Sequence, residues 1–129
     1  MNIRKFLPRL VLFGIGSVGY GLIELLWRGY THPSMLLAGG ICFYTITIIS
    51  NRLANLNVLY KCAVSSLIIT TVELVFGCVF NLLLKCDVWD YSHIPFNLKG
   101  QICLLFSLLW GLLSLALFPI CKLCRNKLL

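Results

Sequence analysis

The chain has very little charge for its length. Of its 129 residues, 12% are charged and only 4 are acidic, whereas 60% are hydrophobic. A soluble domain carries about 25% charged residues, because its surface must be hydrated. The shortage of charge therefore excludes an ordinary soluble domain and predicts an integral membrane protein. The 11 basic residues give a net charge of +7, but they stand in small groups beside apolar runs, a pattern that does not favour nucleic-acid binding.

The sequence also lacks the motifs of common catalytic and cofactor-binding sites. It has no GxxxxGK(S/T) phosphate-binding loop and no recognisable nucleophile–base arrangement, so we expect neither an enzyme nor a cofactor. His32, His93, Cys86 and Asp87 have no ligand spacing that would indicate a metal site. The 7 cysteines lie mostly inside apolar runs. An odd number in this setting argues against a disulfide framework and indicates buried thiols that pack as small apolar side chains.

Four apolar runs occupy nearly the whole chain. A membrane-spanning helix needs about 20 mostly apolar residues, and the sequence predicts such helices over residues 7–27, 33–50, 62–84 and 98–121. The fold class is therefore an all-α membrane protein with four transmembrane helices, in a single integral membrane domain over residues 1–129. The N-terminal basic residues resemble the start of a signal peptide, but no small-residue cleavage site follows, so we expect an uncleaved helix.

The basic residues are distributed unevenly between the two predicted sides of the membrane. Eight lie in the two tails and the 51–61 connection, namely Arg4, Lys5, Arg9, Arg52, Lys61, Lys122, Arg125 and Lys127, and three lie on the other side, namely Arg28, Lys85 and Lys99. Cytoplasmic segments carry the excess of Lys and Arg. The count therefore predicts that the N- and C-termini of this multi-pass protein are both cytoplasmic, and we expect the membrane to be the plasma membrane.

The two predicted outer turns resemble each other. Residues 27–33 and residues 89–95 both run Trp, charged residue, Tyr, hydroxyl residue, His and Pro, with slips of one residue. One interpretation is a duplication that gives two helical hairpins in tandem. The other is that interfacial turns collect Trp, Tyr and Pro independently.

Two of the four acidic residues fall inside predicted spans. Glu73 lies near the middle of the third span and Glu24 near the outer end of the first, where it is placed to pair with Arg28 four residues later. A carboxylate at mid-membrane is costly unless it is protonated or paired, so a functional role is the default hypothesis. One face of the third helix carries Ser66, Thr70, Glu73, Gly77 and Asn81, at steps of three and four residues.

These polar residues allow two interpretations. They form a polar path or a substrate-binding site, for which the candidates are Glu73, Glu24, Asn81, Thr70 and Ser107. Alternatively, the stripes are packing seams between helices, in which small residues allow close contact and polar groups bond to each other. Because Glu73 lies deepest, it is the strongest candidate for handling a proton or a substrate.

Residues 88–101 are the most polar and aromatic segment of the chain. The outer-turn residues that we single out are Trp27, Arg28, Trp89, Asp90, Tyr91, Ser92, Pro95 and Asn97. Pro95 and Asn97 suit an extended segment that leads into the fourth helix. Arg28 and Asp90 each follow a tryptophan, and we expect them to pair across the two turns.

These motifs resemble a family of small bacterial membrane proteins, the CmpB-like putative type IV ABC-transporter permeases. The resemblance rests on Trp27-Arg28-Gly29, on Trp89-Asp90-Tyr91-Ser92 and on Pro95-Phe96-Asn97-Leu98-x-Gly100, followed by Ile102-Cys103-Leu104 and Ser107-Leu108-x-Trp110-Gly111. It is strongest over residues 73–115 and weaker in the first hairpin. It implies a bacterial plasma membrane and a permease, but neither a substrate nor catalytic residues.

Two functions follow as hypotheses. The first is a transporter permease component of unknown substrate. Four spans are few for a substrate path, so this hypothesis requires further copies of the chain or other membrane subunits, and a separate ATPase subunit. The second is a structural or regulatory membrane protein that binds another envelope component through its outer turns.

Overall fold

The computed structural model describes residues 3–128 as four long helical segments and one small hairpin. The elements are α1 (Ile3–Arg28), α2 (Pro33–Leu53), α3 (Val58–Phe76), a π-helix (Gly77–Leu83) that continues α3, β1 (Asn97–Leu98), β2 (Ile102–Cys103) and α4 (Leu104–Leu128). Each of the four helical segments is long and apolar enough to cross a membrane. The predicted all-α membrane fold with four spanning helices is confirmed.

The fourth helix begins at Leu104, six residues later than the expected start at residue 98. The intervening residues form a two-stranded antiparallel hairpin in which Asn97 pairs with Cys103 and Leu98 with Ile102. Lys99 and Gly100 have φ of 53° and 71°, and the Gln101 amide donates to the Leu98 carbonyl at 3.0 Å. Both central residues of this turn therefore have a left-handed φ, and the strand register leaves a three-residue loop, Lys99 to Gln101, which is a common hairpin length.

The other helix boundaries differ from expectation for local reasons. α3 begins at Val58 rather than at residue 62, because the Asn57 side chain caps it by accepting from the Tyr60 amide at 2.8 Å. α4 continues through Pro119 to Leu128. A proline removes one backbone donor, but in a bilayer no water can replace the remaining helical bonds, so the helix persists.

The chain divides into two compact units. Unit 1 contains Met1–Asn55 and Leu117–Leu129, and so includes α1, α2 and the end of α4. Unit 2 contains Leu56–Ala116, and so includes α3, the π-helix, the hairpin and the start of α4. The interpretation as one membrane domain stays a prediction, as does the duplication of two hairpins.

In unit 1, small residues bring α1 and α2 close together. A Cβ added at Gly40 would lie 2.6 Å from the Ser17 hydroxyl, and one added at Gly21 would lie 2.6 Å from the Leu36 side chain. A Cβ at Gly16 would also lie 2.9 Å from the Gly39 backbone oxygen, so small residues allow the close approach of the two helices, as the small-residue spacing at Ser17 and Gly21 predicts. Buried Leu12, Phe43 and Ile46 form part of the surrounding apolar core.

The turn between α1 and α2, the first of the two predicted outer turns, is short and is fixed by helix capping. His32 is the N-cap of α2: its Nδ1 accepts from the Ser34 amide at 3.1 Å, and Pro33 is the first helical residue. A proline suits this position because its missing amide has no helical partner there. The second outer turn has the same residue types in a different role, since Pro95 precedes a strand rather than a helix.

Candidate functional site

The polar stripe predicted on the third helix is covered by other parts of unit 2. α4 covers the N-terminal part of the stripe, at Ser66 and Thr70. The Ser66 hydroxyl donates to the Ser107 carbonyl at 2.5 Å, and the hydroxyls of Thr70 and Ser107 lie 2.8 Å apart. The structure therefore brings the candidates Thr70 and Ser107 together, and it also adds Ser66.

Glu73 lies at the centre of the stripe and is reached by the segment between the π-helix and α4. Glu73 is 6% exposed, and the Tyr91 hydroxyl donates to Glu73 Oε2 at 3.0 Å. Tyr91 is held in place by its amide, which donates to the Gly100 carbonyl at 2.7 Å, and by its ring, which stacks on Phe106 at 4.7 Å between centroids. The sequence singles out both Glu73 and Tyr91, but it gives no sign that they are partners.

The far end of the stripe is bound by an amide network. Asn81 Nδ2 donates to Gln101 Oε1 at 2.9 Å, and Asn81 Oδ1 accepts from the Val88 amide at 2.7 Å. The Trp89 indole donates to the Gln101 carbonyl at 2.9 Å, and Gln101 Nε2 donates to the Lys99 carbonyl at 2.9 Å. Gln101 is 3% exposed. Sequence reasoning missed it, although an uncharged polar residue at the edge of an apolar run is a detectable signal.

Gly77 provides the space in which this segment lies against the helix. A Cβ at Gly77 would stand 2.6 Å from Gln101 Oε1 and 3.0 Å from the Trp89 ring. Gly77 is also the first residue of the π-helix. Short π-helical turns occur frequently at functional sites. Residues 88–103, which we call the strap, therefore dock on α3 and the π-helix from Glu73 to Asn81.

The strap is folded by its own polar side chains. Asn97 Nδ2 donates to the Ile94 carbonyl at 2.8 Å, and its Oδ1 accepts from the Gly100 amide at 3.0 Å. Asp90 Oδ1 accepts from the Ser92 amide at 2.9 Å. That amide, followed by the Ser92 hydroxyl, lowers the pKa of the Asp90 carboxyl below its ordinary value. Asp90, Ser92 and Asn97 of the outer-turn motif thus shape the strap, while Pro95 is exposed at its surface.

The remaining candidates lie in unit 1. Buried Glu24 forms the expected ion pair with Arg28, whose guanidinium carbon also stands 4.4 Å from the centroid of the Tyr30 ring. Trp27 is 77% exposed. The ion pair of Glu24 and Arg28 is confirmed, and the pairing of Arg28 with Asp90 stays a prediction.

An apolar groove of about 610 Å³ runs along α3 and α4 within unit 2. On α3 its lining extends from Val58 to Thr70, and on α4 it extends from Leu104 to Leu115. The side chains with hydroxyl groups in this lining are Ser66, Thr70 and Ser107. Glu73 follows Thr70 by three residues, less than one helical turn. The hydroxyl pair therefore lies between the apolar groove and the carboxylate that the strap covers.

This arrangement combines a buried carboxylate, a phenol and two hydroxyls along one face of a spanning helix. Carboxylates and phenols can both exchange protons, and hydroxyls can donate and accept. Within residues 3–128, no group of three His, Cys, Asp or Glu side chains is arranged to hold a metal ion.

Comparison with known proteins gives a single result. No curated protein and no solved structure matches the chain. A family model matches residues 4–129 and so includes both units, and the chain belongs to the family that this model describes, "Putative ABC-transporter type IV".

Proposed function

We propose that the chain is a multi-pass membrane permease component of a transport system, in which the polar face of α3 lines the substrate path and the strap closes it. Membership of the ABC-transporter family and four apolar spanning helices support a membrane-embedded transport component. The observation that carries the finer proposal is the hydrogen bond from Tyr91 to Glu73.

The position of Glu73 supports a role in the path. It lies 15 residues after Val58 and 10 residues before Leu83, near the middle of a continuous helical segment. Ionisable residues at such depth are rare and face the interior of helix bundles or the pathways of substrates and ions. If the stripe only packed helices together, hydroxyl and amide side chains would be sufficient, because they bond between helices without burying a charge.

The strap supports the closing role. Non-helical backbone at membrane depth is tolerated only where protein buries it or where it lines a cavity. The strap meets this condition because Tyr91 and Gln101 bond to side chains of the spanning helix. Opening the path would require these bonds to exchange for others.

The chain requires partners for this function. Four spans enclose little space, so we propose that further copies or other membrane subunits complete the path and that a separate ATPase subunit supplies the energy. We assign no catalytic step to the chain itself. We also propose that both termini are cytoplasmic, which the distribution of Lys and Arg supports, and that the membrane is the plasma membrane.

Affinity purification of the tagged chain in mild detergent, followed by mass spectrometry, tests the proposal. We expect enrichment of an ATPase subunit relative to an unrelated tagged four-span protein. Enrichment of envelope-assembly proteins without any ATPase would contradict transport and support the structural or regulatory function.

A second measurement concerns the path itself. In the purified complex, Glu73→Gln should lower ATP hydrolysis or its stimulation by substrate, because the amide cannot ionise. The matched control is Asp87→Asn, which neutralises an exposed carboxylate outside the polar face of α3. Equal activity of the wild type and Glu73→Gln would exclude a role for this carboxylate in the path.

A further inference from the structure

Basic residues from three helices are concentrated at one end of unit 1. They are Arg4, Lys5 and Arg9 of α1, Arg52 of α2, and Lys122, Arg125 and Lys127 of α4. All are exposed except Arg125, which is half-buried. We call this set the basic end.

Packing between α1 and α2 places the first two groups together. A Cβ at Gly21 would contact Leu36, one at Gly40 would contact Ser17 and Phe13, and one at Gly16 would contact Phe43. Moving toward the start of α1 therefore means moving toward the end of α2, so the helices are antiparallel. Continuing this register places Lys5 level with Arg52.

A hydrogen bond places the third group. Arg125 Nη1 donates to the Ser50 hydroxyl at 2.6 Å. Since Ser50 lies in the last turn of α2 and Arg125 in the last turn of α4, the two helices end side by side. Lys122 and Lys127 flank Arg125 and are both exposed.

The two ends of unit 1 differ in their charged residues. The four acidic residues of the chain are Glu24, Glu73, Asp87 and Asp90, and of these only Glu24 belongs to unit 1. Glu24 lies toward the opposite end of α1, in its ion pair with Arg28. Positive charge is therefore concentrated at one end of unit 1, while a charge at the other end is paired.

We propose that the basic end binds the phosphate groups of anionic phospholipids. The three helices that supply it are each apolar enough to span a membrane, so their ends lie at the level of the lipid headgroups. Lysine and arginine clusters next to spanning helices attract anionic lipids. Apolar side chains beside the cluster, such as exposed Phe6, Leu7 and Leu123, suit contact with acyl chains better than contact with a soluble acidic protein. This inference does not depend on the transport function.

Native mass spectrometry of the purified full-length chain tests the proposal. The chain is titrated with phosphatidylglycerol, with phosphatidylcholine of the same acyl chains, and with inorganic phosphate. We expect tighter binding of phosphatidylglycerol than of phosphatidylcholine, and no retention of inorganic phosphate. The double variant Lys122→Gln with Lys127→Gln should weaken phosphatidylglycerol binding about 25-fold, because each of the two basic residues near an anionic surface contributes about a factor of five.

The matched control is Lys85→Gln with Lys99→Gln, which removes two exposed lysines from unit 2 and should leave lipid binding unchanged. A second variant, Arg4→Gln with Lys5→Gln, tests the same surface from a different helix and should also weaken binding. Equal binding of both phospholipids would overturn the proposal. So would an equal loss in the control, or retention of inorganic phosphate as tight as that of the lipid.

Discussion

Tyr91 gives the buried Glu73 carboxylate a donor from outside the spanning helices. Its phenol reaches the carboxylate while its ring stacks on Phe106, so the residue contributes a polar contact and an apolar contact at once. The two contributions can be separated, because phenylalanine keeps the ring and loses only the hydroxyl.

Tyr91→Phe should lower the free energy of unfolding by about 1–3 kcal/mol, since a buried acceptor loses one hydrogen-bond donor. Denaturant unfolding in detergent, followed by circular dichroism, measures this loss. Tyr60→Phe is the control, because Tyr60 is 59% exposed and should change stability little. Identical unfolding curves for the wild type and Tyr91→Phe would show that the hydrogen bond contributes nothing to stability.

Two adjacent threonines allow a sharper test of the seam between α3 and α4. Thr70 bonds to Ser107, whereas exposed Thr71 donates to the Leu67 carbonyl of its own helix at 2.7 Å. Thr70→Val should destabilise the fold by about 0.6 kcal/mol, the average for hydrogen bonds between membrane helices. Thr71→Val should have a smaller effect on the same unfolding curve, and the reverse order would contradict the assigned contact.

Asp90 predicts a pH dependence of the strap. Its pKa lies below the ordinary value of 3.8, chiefly because the Ser92 amide donates to the carboxylate. A carboxylate with a lowered folded-state pKa stabilises the folded form above its unfolded pKa, and this stabilisation is lost as the pH falls through the folded pKa. The strap should therefore become more susceptible to pepsin as the pH falls below 3.8. Asp90→Asn should remove that part of the pH dependence, and an unchanged profile in the variant would assign it to another group.

At the scale of the elements, side-chain hydrogen bonds hold the strap against α3 and the π-helix. Cys103, the last residue of the strap, is 3% exposed, whereas Cys86, just before the strap, is exposed. The chain thus contains its own reporter of strap docking and its own positive control.

Gln101→Ala should raise the rate at which maleimide labels Cys103 by roughly tenfold, because buried amide hydrogen bonds worth about 1–3 kcal/mol are lost. Peptide mass spectrometry after brief labelling assigns the modified cysteine. His93→Gln, an exposed change in the same segment, is the control. Labelling of Cys103 as fast as Cys86 in the wild type would show that the strap is undocked in solution.

The helices were predictable from the sequence, and the strap was not. Apolar run length determines a membrane span almost alone, and the three- and four-residue spacing correctly placed Ser66, Thr70, Glu73, Gly77 and Asn81 on one face. The partners of that face were missed because they depend on the path of residues 88–103. That path follows from left-handed backbone at Lys99 and Gly100, and Leu98 and Ile102 also suit a helix, which hides the hairpin.

At the scale of the whole molecule, composition predicted the fold class and the charge distribution predicts the topology. In intact cells, an impermeant maleimide should label Cys86 and leave Cys124 unlabelled, because the count of Lys and Arg places them on opposite sides of the membrane. Permeabilised cells provide the control in which both can react. Labelling of Cys124 in intact cells would reverse the predicted orientation. The division into two units was not predictable, because it depends on how α4 is shared between them.

The π-helix changes the angular positions, around the helix axis, of the residues on the polar face. In an α-helix, four residues exceed one full turn by about 40°, so Glu73, Gly77 and Asn81 would drift progressively around the axis. From Gly77 onward the chain follows the wider π-helix, in which bonds join residues five apart and four residues fall short of a turn. The two deviations oppose each other, so Asn81 lies closer to the angular position of Glu73 than it would in a continuous α-helix. Deleting one residue between Gly77 and Asn81 would restore α-helical winding and rotate the two ends of the face out of alignment.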